Sequence, residues 1–129
     1  MYKFSKRSLN NLANVHPDLA EVFHRVIECT PYDFVITEGL RSKETQAKYV
    51  KEGKSKTMNS KHLKQADGYS HALDIAVYDE WDMITWVPDY YEAVNDIVQI
   101  IADEMNVKIT WGGNWRSFKD CPHFQIEVD

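Results

Sequence analysis

The chain has 129 residues, 43% of them hydrophobic and 12% aromatic, and a formal net charge of -5. That length and apolar content predict one domain around one core and exclude a disordered chain. No apolar run approaches the roughly 20 residues that cross a bilayer, and the basic start Met1-Tyr2-Lys3-Phe4-Ser5-Lys6-Arg7 lacks the apolar stretch of a secretory signal. The expectation is a protein without a signal peptide, held in the cytoplasm until something else releases it. The charge is uneven: residues 1–64 carry 12 Lys/Arg against 7 Asp/Glu, and residues 65–129 carry 3 against 13. The basic run Lys48, Lys51, Lys54, Lys56, Lys61, Lys64 suits a solvated face or an anionic polymer, but it lacks the aromatic interleaving of a nucleic-acid module.

A first helix is predicted over Lys6 to Ala13. A second follows His16, with Pro17 at the favoured first position and Leu19, Val22, Phe23, Val26 and Ile27 at helical spacing. His16 and His24 lie off that stripe and read as surface or boundary residues. Phe34 to Thr37 is strand-like. After Gly39, Ser42 can cap a helix from about Lys43 to Lys51, ended by Gly53. Lys54 to Ser60 and Lys64 to Tyr69 read as loops, the latter with an Asp67-Gly68 turn. The apolar run Ala72 to Val77 suits a central strand interrupted by Asp74. Pro88 to Met105 is the longest helix, with Val94, Ile97, Val98, Ile101 and Met105 on one face. Val107 to Trp111 and His123 to Glu127 complete the strands. The order predicts an α+β domain with a small, largely antiparallel sheet and flanking helices.

A carboxylate inside an apolar strand is costly to bury unless it is paired or bound to metal. Asp74 therefore needs a partner, or else accepts backbone hydrogen bonds. Together with His62 and His123 it makes the donor set of a catalytic zinc, two imidazoles and a carboxylate with a fourth position for water. Asp120, three residues before His123, is left over to move protons. His71 is the first substitute for His62, although residues three apart on a strand face opposite sides, which makes joint chelation with Asp74 awkward. Cys29 and Cys121 read as two reduced thiols. A Cys121 ligand is the weaker alternative, because it leaves the His62/Asp74 pair unexplained.

The segments Ser60-Lys61-His62, Ser70-His71-Ala72-Leu73-Asp74 and Asp120-Cys121-Pro122-His123, with Thr37-Glu38-Gly39-Leu40-Arg41-Ser42 and Gln46 upstream, carry a resemblance. The chain resembles, from about residue 33 to 127, the zinc peptidases of the D-alanyl-D-alanine carboxypeptidase and L-alanyl-D-glutamate endopeptidase group, which includes short phage endolysins. The His62 to Asp74 interval is longer than in the compact form of the motif, and the Gly68-containing loop can absorb the difference. The resemblance implies a hedgehog/DD-peptidase-like fold, one Zn2+ per chain on His62, Asp74 and His123, and Asp120 as the general base. On chemistry alone Asp120 could instead orient a histidine. The resemblance also favours Arg41 as the cation that stabilises an oxyanion or grips a substrate carboxylate, where an ordinary salt bridge is the plainer alternative. Ser60 and Gln46 would support the site through hydrogen bonds, and Trp111 would wall the cleft or fill the core.

The function implied is cleavage of the bacterial peptidoglycan stem peptide, most simply at the L-Ala-D-Glu bond, by a monomeric endolysin released from the host cytoplasm to the wall. The rivals are a D-Ala-D-Ala carboxypeptidase or dipeptidase, and a non-catalytic zinc-stabilised wall-binding module of the kind the hedgehog fold provides. Neither nucleic acid nor membrane insertion is expected.

Overall fold

A computed structural model describes residues 1–128. Helices α1 (Lys6–Leu12) and α2 (Pro17–Cys29) precede β1 (Phe34–Glu38) and α3 (Lys43–Lys51). A long irregular segment leads to β2 (Ala72–Tyr78) and β3 (Ile84–Thr85). Then come α4 (Pro88–Glu104), β4 (Lys108–Trp111), a 3-10 turn (Gly112–Asn114) and β5 (His123–Glu127). The caps follow the local chemistry. Ser42 Oγ accepts from Thr45 N–H at α3, His16 Nδ1 accepts from Asp18 N–H at α2, and Asn106 takes the left-handed conformation that closes α4. Among the described residues no helix is long and apolar enough to cross a membrane.

The sheet runs β1-β2-β5-β4, every pair antiparallel, with β3 paired to the far end of β2. This is the α+β arrangement expected, and β3 is the addition. Two residues are too few to show a period, and the turn before them depends on Asp79, whose carboxylate accepts from the Trp81 and Met83 backbone N–H groups. The outer side of β1 is covered by α1: Ser8 Oγ accepts from Ile36 N–H at 3.0 Å and Asn11 Nδ2 donates to Ile36 O at 2.8 Å. The outward N–H and C=O of Ile36, at the middle of this edge strand, are thereby satisfied.

One face of the sheet packs on α2 and α4. Leu73, Ile75 and Val77 of β2 and Phe124 and Ile126 of β5 point there, meeting Leu19, Val22, Phe23 and Val26 of α2 and Tyr91, Val94 and Val98 of α4. Burying each large side chain contributes about 1.5–3 kcal/mol. The period of two then sends Asp74 and His123 to the other face. Along β2 that face reads Ala72, Asp74, Ala76, so nothing larger than alanine flanks the carboxylate.

Candidate metal centre

A register irregularity between Ile36 and Glu38 sets Glu38 opposite Asp74, and Asp74 in turn faces His123 across β2 and β5. Bulges of this kind re-aim side chains beside active sites. His62 arrives from the segment between α3 and β2. His62 Nε2 lies 3.1 Å and His123 Nδ1 3.2 Å from the same oxygen, Asp74 Oδ1. One donor atom from each of the three residues falls within 4.8 Å of the others.

The outer nitrogens decide what the inner ones offer. His62 Nδ1 is 2.9 Å from the Gly39 carbonyl, which can only accept, so that nitrogen carries the proton. His123 Nε2 is 2.9 Å from Gln125 Oε1 and likewise donates outward. With its outer nitrogen protonated, each ring faces the carboxylate either with a second proton on the inner nitrogen or with a lone pair that a cation between them would share. Ligand atoms about 2.0–2.2 Å from a tetrahedral ion stand roughly 3.4 Å apart, close to the separations here. Two imidazoles and one carboxylate can thus hold a divalent ion.

Without an ion between them, Asp74 is the acceptor that the inner nitrogens face. Burial by itself would raise Asp74, but hydrogen bonds from His123 and His62 outweigh it and hold the carboxyl well below the usual range. Burial works against the His123 imidazolium, yet its bond to Asp74 prevails and raises it.

The Gly39 carbonyl can stand where it does because a Cβ there would collide with the Asn11 backbone and the Val15 side chain. Ser60 Oγ accepts from His62 N–H at 3.1 Å, and Arg41 N–H donates to His62 O at 2.9 Å. The Arg41 side chain is 9% exposed. Its guanidinium bonds Glu38, donates to Gln46 Oε1 at 2.7 Å, lies over the Tyr49 ring and comes within 4.0 Å of Asp74 Oδ2. Gln46, fully buried, also donates to Ser55 Oγ and Thr57 O.

Asp120 lines the same cleft but stands outside the ligand trio. Its backbone N–H donates to Gly112 O, and a Cβ on Gly112 would strike the Asp120 carbonyl. Burial first, and the charge of Asp74 second, raise its carboxyl above the ordinary range. Since Gly39 and Gln125 occupy the outer nitrogens of both imidazoles, orienting a histidine is a role already filled.

Trp111 is 5% exposed and belongs to the core. Its Nε1–H donates to Cys121 O at 2.7 Å, bracing the turn before His123 from behind. The aromatic beside the site is Trp115, whose ring centroid is 5.1 Å from that of His123. His71 turns away to Asp67, its Nε2 at 2.7 Å from Oδ2. Cys29 and Cys121 are both free thiols, and burial raises Cys121 away from the thiolate form a metal would need. The cleft has a volume of about 680 Å³, with Tyr49, Lys54, Lys56, Trp115 and Phe118 around the site. Gln125 also lines it and was not singled out by the sequence reading, although its spacing of two from His123 puts it on the same strand face.

The family of phage L-alanyl-D-glutamate peptidases matches residues 1–127. The chain belongs to that family. It is similar to the L-alanyl-D-glutamate peptidase of Escherichia phage T5, with 31% identity over 120 residues covering 92% of this chain and 85% of that protein. It is also similar to the peptidoglycan L-alanyl-D-glutamate endopeptidase CwlK of Bacillus subtilis, at 30% identity over 73% of this chain and 60% of the longer relative. Among solved structures, the L-Ala D-Glu endopeptidase ChiX of Serratia marcescens matches with a TM-score of 0.86 and 36% identity, over 96% of this chain and 89% of that one.

Proposed function

We propose that this family member hydrolyses the L-Ala-D-Glu bond of the peptidoglycan stem peptide as a monomer, using one zinc ion held by His62, Asp74 and His123. The observation that carries the reading is the convergence of two imidazole nitrogens on Asp74 Oδ1, at 3.1 and 3.2 Å. When bound, such an ion supplies Lewis acidity at the scissile carbonyl and lowers the pKa of a coordinated water toward about 7.

Asp120 takes a proton from the attacking water and returns it to the departing amine. Its raised pKa suits a group that must first accept and then donate. Arg41, locked by Glu38, Gln46 and Tyr49, places fixed positive charge beside the site against the developing oxyanion. Ser60 and Gln46 hold the His62 segment and Arg41 in place. The whole chain acts as one catalytic domain on the wall after release from the host cytoplasm, a reading favoured by the phage origin of a relative named L-alanyl-D-glutamate peptidase.

The test is mass spectrometry of digested muropeptides with wild type, His123→Ala and Asp120→Ala, alongside zinc content. Wild type should leave new L-Ala carboxyl and D-Glu amino termini. Asp120→Ala should keep its zinc and lose about a hundredfold to ten-thousandfold in rate. Full activity in Asp120→Ala would remove the assigned base. Release of D-Ala instead would make the protein a carboxypeptidase, and wall binding without cleavage would make it a binding module.

A further inference from the structure

Strand β5 presents His123, Gln125 and Glu127 on one face, while Phe124 and Ile126 fill the core behind them. His123 Nε2–H donates to Gln125 Oε1 at 2.9 Å, and Gln125 Nε2 donates to Glu127 Oε1 at 2.7 Å. The direction of this chain is dictated from its far end. A carboxylate only accepts, so Glu127 draws the NH2 end of the Gln125 amide and leaves its oxygen for the imidazole. An acceptor there keeps a proton on Nε2, so the proton that His123 gives up to make room for an ion is the one on Nδ1, beside Asp74 Oδ1.

The two histidines are thus oriented by different means. A backbone carbonyl such as that of Gly39 can never donate, whereas a glutamine amide can turn over. Turned over, Gln125 would donate to His123 Nε2, drive the ring proton to Nδ1 and set it where the ion belongs. Glu127 is the group that forbids this. Gln125 also sits on a strand paired on both sides, opposite Ala72 and Thr110, so its backbone is held rigidly.

We propose that Gln125 and Glu127 are positioning residues that set the His123 tautomer for metal binding, an inference that rests on the metal centre described above. Glu127 acts entirely through Gln125, and Gln125 through His123.

Zinc affinity, read by competition with a chromogenic chelator, and the His123 Nε2–H hydrogen bond, read from the 1H and 15N shifts of that group in zinc-loaded protein, test this directly. Gln125→Met keeps the side-chain length without the amide. It should weaken zinc binding by about tenfold to hundredfold and lose the Nε2–H hydrogen-bond shift. The exchange Gln125→Glu with Glu127→Gln restores an acceptor for His123 and a donor between the two positions, and should recover most of both. If Gln125→Met does not fold, Glu127→Met reads the same chain one step further out. Wild-type affinity and Nε2–H shift in either single variant overturn the relay and leave the metal centre standing. A wild-type protein that takes up no zinc removes the metal centre and the relay together.

Discussion

At the scale of single residues, the site depends on polar groups that are buried and fully used. Gln46 shows this best: one amide accepts from Arg41 and donates to Ser55 and Thr57, with no exposure to water. Gln46→Leu fills the same space but leaves buried partners unsatisfied, which costs about 1–3 kcal/mol. Urea denaturation should show that loss, and an unchanged midpoint would mean that the loop around Thr57 is held some other way. His62, Asp74 and His123 stand out in the sequence because each is a metal-binding type in surroundings that do not otherwise need it, Asp74 above all in its apolar strand. Gln125 and Glu127 did not stand out, since polar residues alternating along a strand are what any half-exposed sheet face shows. Their meaning lies in the direction of a hydrogen-bond chain, which no spacing encodes.

At the scale of elements, the period of two in β2 and β5 and the apolar stripes of α2 and α4 were legible because burial imposes them. The β1 irregularity and the short β3 were not, because they depend on register against a partner strand. The join between β1 and α3 turns on Gly39, where any side chain meets the backbone of α1. Gly39→Ala should therefore destabilise by about 1–3 kcal/mol and displace the carbonyl that fixes His62. The expected result is a lower melting temperature together with weaker zinc uptake. A variant that melts earlier but binds zinc normally would separate the packing role of Gly39 from its role toward His62.

At the scale of the whole molecule, proton and metal compete for the same pair. In metal-free protein Asp74 is depressed, so its contribution to stability is present above the ordinary aspartate value of about 3.9 and fades as pH falls through the lowered one. His123 is raised, so its contribution is complete below about 6.5 and fades as pH rises through the raised value. Metal-free protein is thus most stable in mild acid. Zinc needs both rings neutral, so its stabilisation, about 2.7 kcal/mol at a hundredfold excess over Kd, grows toward alkaline pH. Calorimetry with and without zinc should give melting curves that lie close together near about pH 5 and far apart near about pH 8. A gap that does not change with pH would contradict the shared use of Asp74 and His123. The α1 clamp on Ile36 reaches further still. Shorten the chain from its beginning past Asn11, and the outward N–H and C=O of Ile36 would be left open to any neighbouring copy. The product should associate through that opened edge rather than persist as a smaller working enzyme.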